Sequence, residues 1–187
     1  MKMIEQDYPK LRMLTLLMGP FGTGKTRFRY EARNRAAKLN LPGYKVLIQN
    51  EWNDRPWEHT RNYWCEYSNP ETHFDEQGLL GLADEMVKEA FVEHRHILAE
   101  TRSKLIFDRI RRRIAEAPMK EAREMAANFI VRWKAHPRLP AVWITCNEYG
   151  AVKDWPDGFC DEDMKESEAI LTAAMAKRMK AEEVKKS

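Results

Sequence analysis

Apolar and polar residues along this chain fall into a pattern that predicts alternating strands and helices. Short apolar runs predict strands at 13–18, 44–49, 104–108 and 141–145. The longer segments between them have a helix-forming composition or apolar residues at helical spacing, and they predict helices at 25–39, 76–102, 109–117, 119–135 and 161–184. Residues 56–76 are aromatic, acidic and interrupted by proline, so we expect this segment to be largely irregular.

This order of elements predicts an α/β fold with a parallel sheet. Alternating strands and helices are joined by right-handed crossovers, which place the helices against the faces of the sheet. We therefore expect a three-layer sandwich in a single domain over residues 1–187, with its core at 11–150 and a C-terminal helix at 161–184. Ligands bind beyond the carboxyl ends of the strands in such sheets, so polar residues that follow strands are candidates for a functional site.

The first predicted strand leads directly into a phosphate-binding motif. Residues 19–26 match the pattern G-x-x-x-x-G-K-[ST] and read Gly19, Pro20, Phe21, Gly22, Thr23, Gly24, Lys25 and Thr26. Glycines allow backbone N–H groups to turn inward around phosphate oxygens, and the following helix adds donors and the positive end of its dipole. We expect Lys25 to reach the terminal phosphates and the Thr26 hydroxyl to ligate Mg²⁺. The motif predicts the P-loop NTPase form of this sandwich, with ATP and Mg²⁺ as cofactors.

Two carboxylates follow predicted strands and are candidates for catalysis. Asp108 ends the strand predicted at 104–108, where it could bind Mg²⁺ or orient the nucleophile. Glu51 follows the strand predicted at 44–49, where it could accept the proton of an attacking hydroxyl. Each has a simpler alternative, because Asp108 could cap the next helix and Glu51 could be a solvated turn residue.

Arginines directly after Asp108 are candidates for binding phosphate. Arg109 adjoins the predicted strand end, which favours a role in catalysis. Arg111 and Arg113 lie further along the predicted helix, where they suit either a phosphate clamp or a solvated basic face.

An aromatic segment between the second and third predicted strands offers candidates for binding the substrate. Trp57 and Tyr67 present ring surface on which a planar base could stack, and Gln77 offers a donor and an acceptor to the edge of that base. The alternative is that these rings simply cover the sheet.

Composition narrows the class of protein further. The 187 residues are 43% hydrophobic, which supports a sizeable core, yet no window approaches the ~18 apolar residues of a membrane helix. The N-terminus lacks the apolar core of a signal peptide, so we expect a cytoplasmic protein with no membrane partner.

Cys65, Cys146 and Cys160 are widely spaced, which suits reduced thiols rather than a disulfide framework or a zinc site. A net charge of +3 does not demand a nucleic-acid partner, and a homodimer is left open.

With these residues in view, the chain resembles the P-loop kinases of nucleosides and nucleotides, especially the deoxynucleoside and thymidylate kinase group. Those kinases carry Glu-Pro and a nearby Trp after the second strand, then a Tyr, a Pro and a base-reading Gln, and Glu-Arg or Asp-Arg after the third strand. Over most of residues 13–145 this chain has, in the same order, Glu51-Trp52, Trp57, Tyr67-Ser68-Asn69-Pro70, Gln77 and Asp108-Arg109. The resemblance implies that Glu51 and Arg109 act on the acceptor hydroxyl and the phosphates, and that the Trp and Gln positions line a base pocket.

Two features depart from that family. Glu51 is followed by Trp52 rather than by Pro, and residues 147–164, which match the arginine-rich lid of these kinases, contain no arginine. The resemblance therefore implies a kinase whose acceptor is a nucleoside, a nucleotide or a nucleic acid, without deciding between them.

A second resemblance implies a different class, the AAA+ helicase-loader ATPases. The loop Gly19–Thr26 is also typical of these ATPases, and Ile144-Thr145-Cys146-Asn147 is similar to their polar sensor strand. In that interpretation the strand at 104–108 carries the metal ligand and Asn147 positions the hydrolytic water. These ATPases place a catalytic Glu where this chain has Arg109, and an arginine there suits transfer to a bound hydroxyl better than activation of water. The sequence thus favours a kinase.

Overall fold

The computed structural model describes residues 12–38, 64–152 and 154–159. Its elements, in chain order, are β1 (Leu14–Met18), α1 (Lys25–Lys38), β2 (Trp64–Ser68), a 3₁₀ turn (Pro70–Thr72), α2 (Glu76–Phe91), β3 (His96–Glu100), α3 (Lys104–Glu116), α4 (Met119–Ala127), β4 (Phe129–Trp133) and β5 (Val142–Ile144). All of them belong to one compact unit that ends at Trp155, and Pro156–Phe159 belong to a second unit. No helix within the described ranges is long and apolar enough to cross a membrane.

The five strands form one sheet in the order β2-β3-β1-β4-β5. β1 runs parallel to β3 and β4, and β2 runs parallel to β3, whereas β5 pairs antiparallel with β4. The predicted α/β fold is confirmed, and so is the parallel sheet for four of its strands, but the prediction is wrong for β5. Only residues 134–141 connect β4 to β5, and a parallel neighbour needs a crossover of about a dozen residues or more.

Helices cover both faces of the sheet. On one face, Phe28 of α1 packs in a cluster with Leu17 of β1. On the other face, the ring of Phe107 in α3 lies 6.2 Å from the ring of Phe129 in β4, measured between centroids. Because successive strand residues point to opposite faces, all of Leu14–Met18 is buried, which accounts for the continuous apolar run in the sequence.

The strand predicted at 104–108 is wrong, because these residues form the first turns of α3. Ser103 caps the helix, and its hydroxyl oxygen accepts a hydrogen bond from the amide of Ile106 at 3.3 Å. The buried residues Ile106, Phe107, Ile110 and Ile114 recur at helical spacing and form one face. The three apolar residues at 105–107 were too short a run for periodicity to separate a strand from a helix.

Two predicted helices were too long, because each contains a strand. The helix predicted at 76–102 ends at Phe91, the chain turns through His94 with a φ of 54°, and β3 follows. The helix predicted at 119–135 ends at Ala127 and is followed by β4. Both strands are covered on both faces and so lack the alternating pattern that identifies half-buried strands.

The remaining expectations have mixed outcomes. The elements predicted at 13–18, 25–39 and 141–145 are confirmed as β1, α1 and β5, within a few residues. β2 lies in the segment that was expected to be irregular. The strand predicted at 44–49 and the helix predicted at 161–184 lie outside the described residues.

Helices α2 and α3 are held together by one carboxylate. Asp84 of α2 accepts hydrogen bonds from Nε and Nη2 of Arg109, at 2.8 and 2.7 Å, and from the same atoms of Arg113, at 2.7 and 2.8 Å. The hydrogen bonds from Arg113 and Arg109 hold the pKa of Asp84 well below its usual range. Bidentate pairs of this kind fix geometry as well as adding energy, so Asp84 sets how α2 lies on α3.

We expect Asp84→Asn to lower the free energy of unfolding by about 1–2 kcal/mol at pH 7, because it removes the charge that both guanidinium groups bind. A carboxylate with a depressed pKa stabilises the fold fully above its unfolded value, about 3.9, and that stabilisation is lost as the pH falls further. The difference between variant and wild type should therefore shrink below about pH 4. The midpoints of urea unfolding curves measure this difference in the free energy of unfolding.

The matched control is Glu85→Gln, on the same helix. Glu85 pairs with Lys88 at 3.1 Å on an exposed surface, so its loss should change stability by less than about 0.5 kcal/mol. Equal losses for the two variants would contradict the role assigned to Asp84.

Candidate functional site

The loop between β1 and α1 has the backbone of a phosphate cradle. Gly19, Gly22 and Gly24 have φ values of 137°, 76° and 81°, a region that side-chain-bearing residues rarely adopt. A Cβ atom at Gly19 would also run into the carbonyl oxygen of Lys134, at the end of β4. Both the positive φ value and the close approach of Lys134 therefore require glycine at position 19.

Lys25 is enclosed by this loop. Its side-chain nitrogen, Nζ, donates hydrogen bonds to the carbonyl oxygens of Gly19 at 2.6 Å and Pro20 at 2.8 Å, and the residue is only 4% exposed. Burial lowers the pKa of Lys25, which the nearby Glu100 opposes. A cation with few water contacts, held inside a ring of backbone, is suited to binding an anion that enters the loop.

Thr26 and Glu100 meet where α1 begins and β3 ends. The Thr26 hydroxyl donates a hydrogen bond to Oε1 of Glu100 at 2.7 Å. The two residues are close because β3 is the direct neighbour of β1, with Glu100 in register with Leu17. Glu100 is 4% exposed, and its second oxygen, Oε2, is buried without a hydrogen-bond donor among the described residues. A hydroxyl beside a carboxylate is a donor set that fits Mg²⁺.

A second cation and a second carboxylate lie at the rim of the loop. The guanidinium of Arg102 stacks over the ring of Phe21, at 3.9 Å from the centroid. Glu71 accepts a hydrogen bond from the hydroxyl of Thr101 at 2.7 Å and from the backbone amide of Arg102 at 2.8 Å. The end of β3 and the turn after β2 therefore supply charges of both signs to the same rim.

Glu100, Arg102 and Glu71 were absent from the candidates drawn from the sequence. The predicted helix at 76–102 concealed the end of β3, and the segment containing β2 was expected to be irregular. One sequence pattern did point to the end of β3: the apolar run Ile97-Leu98-Ala99 is followed directly by the polar residues 100–103.

The structure places Asp108 on a helix instead of at a strand end. Its Oδ1 accepts a hydrogen bond from Arg111 at 3.0 Å, and its Oδ2 lies 3.2 Å from Nζ of Lys104. Arg111 also donates from Nε to the carbonyl of Gly150 at 2.6 Å, so it ties α3 to a loop. The carboxylate that contacts Thr26 is Glu100, and the strand-end position from which Asp108 was expected to bind the metal is wrong.

Other candidates are engaged elsewhere in the fold. Arg109 and Arg113 are both bound to Asp84 of α2. These contacts hold their side chains between α2 and α3, and they are not contacts with the loop. Tyr67 is buried, donates from its hydroxyl to Oε2 of Glu89 at 2.8 Å, and has its pKa raised well above the usual value by burial. Gln77 is exposed in the first turn of α2.

Glu51 and Trp57 lie outside the described residues, so their roles stay predictions. Two of the cysteines are described, and both Cys65 and Cys146 are free thiols. Burial raises the pKa of Cys65 to about 12 and that of Cys146 to about 11, so both thiols stay protonated near neutral pH.

Neither protein-family models nor curated protein sequences give a match to this chain. The cytoplasmic location expected from the sequence stays a prediction.

We expect Glu100→Gln to raise the Mg²⁺ concentration needed for half-maximal binding of a fluorescent ATP analogue by about ten- to a hundredfold, because it removes the charged oxygen beside Thr26. Asp108→Asn is the matched control, since Asp108 contacts Lys104 and Arg111 instead. A larger effect from Asp108→Asn than from Glu100→Gln would indicate that Asp108, and not Glu100, binds the metal.

Proposed function

We propose that this chain is a Mg²⁺-dependent phosphotransferase that binds ATP at the loop Gly19–Thr26. It moves the γ-phosphoryl group to a hydroxyl or phosphate of a nucleoside, a nucleotide or a polynucleotide. The observation that carries the proposal is the hydrogen bond between Thr26 and Glu100, next to a glycine loop that encloses Lys25. Phosphoryl transfer needs a phosphate cradle, a metal site and positive charge, and these residues supply each of them.

The residues divide the work between binding and charge compensation. The amides of the loop and Lys25 would hold the phosphates, while Thr26 and Glu100 would hold Mg²⁺ and its water shell. Bound Mg²⁺ supplies neutralisation of the charge that develops on the phosphate oxygens. Arg102 adds a second cation at the rim, where it is 3.9 Å from the ring of Phe21.

The residue after Glu100 supports transfer to an acceptor over hydrolysis. Thr101 is fully buried, its amide donates to the carbonyl of Leu17 at 3.0 Å, and its hydroxyl is bound to Glu71. A hydroxyl tied up in this way is a poor base, so the position adjoining the metal carboxylate does not activate water. Glu51 remains the candidate that would accept the proton of the acceptor hydroxyl.

A helicase-loader-like ATPase is the second candidate, and one observation favours it. The carboxylate of Glu71 lies at the rim of the site, where it could orient a water molecule. The contacts of Asn147 give this candidate less support, because its side-chain oxygen accepts from the amides of Tyr149 and Ala151, both at 3.0 Å. That side chain builds its own turn, whereas a sensor asparagine would have to orient water.

The decisive experiment is an acceptor screen with ATP labelled on the γ-phosphate. Nucleosides, nucleoside monophosphates and oligonucleotides with a free 5′-hydroxyl are each incubated with the protein and Mg²⁺, and the products are separated. Label in an acceptor is the expected result. Free phosphate alone, released faster when DNA is added, would support the loader, and no loss of ATP under any condition would contradict both candidates.

We expect Lys25→Met to lower ATP turnover by at least about a hundredfold, because the variant keeps the side-chain stem but removes the charge from the loop. Lys120→Met, on the exposed first turn of α4, is the control and should leave turnover unchanged. Circular dichroism checks that both variants fold. Wild-type turnover by a folded Lys25→Met protein would overturn the assignment of the loop.

A further inference from the structure

The phosphate loop, Gly19–Thr26, contains one large apolar side chain, that of Phe21. It is 70% exposed, and it stands at the tip of the loop, between the backbone turns at Gly19 and Gly22. A phenylalanine gains little stabilisation from burial at such a position. Its recorded partner is the guanidinium of Arg102, stacked over the ring face at 3.9 Å.

The backbone of Arg102 is fixed, whereas its side chain is held mainly by this ring. Its amide donates to Oε1 of Glu71 at 2.8 Å, and the preceding amide, of Thr101, donates to the carbonyl of Leu17 at 3.0 Å. The guanidinium, in contrast, lies 3.7 Å from the Glu71 carboxylate, which is too far for a hydrogen bond. The side chain is 40% exposed, and no residue in the described ranges accepts a hydrogen bond from its guanidinium, so its donors can bind a further anion.

The way Arg102 is held differs from the way the arginines of α3 are held. Arg109 and Arg113 each make two hydrogen bonds of 2.7–2.8 Å to Asp84, which uses up one edge of each guanidinium. A ring face attracts a cation without occupying its N–H donors, because the interaction is with the π electrons. Phe21 therefore orients Arg102 and leaves its hydrogen bonds available.

The position of Arg102 relative to Lys25 indicates which part of a ligand it would meet. Arg102 follows Glu100 by two residues, and Glu100 contacts Thr26, the neighbour of Lys25. The positive charge of Arg102 is close enough to Lys25 to contribute to lowering the pKa of that lysine, after the larger effect of burial. Two cations that repel each other across one loop are stabilised most by the ligand with the greatest negative charge.

We propose that Phe21 is a positioning residue, whose ring holds the Arg102 guanidinium at the mouth of the loop so that it binds the terminal phosphate. This makes the site select a nucleoside triphosphate over a diphosphate. The inference rests on the proposed function, since it assumes that the loop binds a nucleotide. It adds a source of selectivity that the phosphate-binding motif itself does not contain.

The test compares two ligands in six proteins. Isothermal titration calorimetry with Mg²⁺ gives the dissociation constants of AMP-PNP and ADP for the wild type, Phe21→Leu, Phe21→Tyr, Arg102→Met, the Phe21→Leu/Arg102→Met double variant and a control variant, Tyr149→Leu. The quantity compared is the preference for the triphosphate, which is the ADP constant divided by the AMP-PNP constant. Phe21 is exposed, so its variants should unfold at the wild-type temperature.

We expect Phe21→Leu to reduce the preference by about two- to thirtyfold, the range of a cation–π interaction, mainly through weaker AMP-PNP binding. Phe21→Tyr should keep the preference within about twofold, because the ring face is retained. The double variant should be no worse than Arg102→Met, because the ring acts through the arginine. Tyr149→Leu, at a residue 66% exposed in another loop, is the control and should change nothing.

Three results would overturn the inference. The preference could survive Phe21→Leu while falling in Arg102→Met, it could fall as far in Phe21→Tyr as in Phe21→Leu, or the two ligands could bind the wild type equally. In each of these cases nucleotide binding at the loop still stands. If neither ligand binds the wild type, the proposed function fails first, and this inference fails with it.

Discussion

The contact between the Thr26 hydroxyl and the Glu100 carboxylate is the interaction on which the arrangement of the site depends. It joins the first turn of α1 to the last residue of β3 at 2.7 Å. The contact exists because β3 is the strand next to β1, so that Glu100 ends beside the loop that follows β1. The sheet order therefore decides which carboxylate meets Thr26.

Burying the Glu100 carboxylate costs free energy, and the neighbouring Arg29 offsets part of that cost. Nε of Arg29, one helical turn after Thr26, lies 3.7 Å from Glu100 and 3.8 Å from Glu66, whose carboxylate lies on the same face of the neighbouring strand. Lys25 is a second cation close enough to Glu100 to interact with its charge. In the part of the chain that the structure describes, Arg29 Nε and Glu100 Oε2 make no hydrogen bond. A divalent cation at Thr26 would give the Glu100 carboxylate a further partner of opposite charge.

The sequence predicted the loop, α1 and the α/β class because those signals are local. Gly19 to Thr26 fix a backbone conformation by residue type alone, and the adjoining run 13–18 could only be a buried strand. The ends of β2 and β3 were missed because central strands and buried helical faces both read as short apolar runs. Asp108 illustrates the consequence: Ser103 caps a helix that contains Asp108, and the nearest preceding strand, β3, ends eight residues earlier at Glu100.

The arginines of this chain show why charge composition alone is a poor guide to a phosphate site. The arginines of the densest basic cluster, at 109–113, are paired within the fold with Asp84, Asp108 and Glu116. The isolated Arg102 and the enclosed Lys25 are different, because they contact a ring face and backbone carbonyls, respectively, as well as more distant carboxylates. A cation bound to a carboxylate has little free energy left to give to a ligand, whereas one held by a ring or by carbonyls retains most of it. The binding capacity of a basic residue is therefore set by what holds it, and that depends on contacts between residues far apart in the sequence.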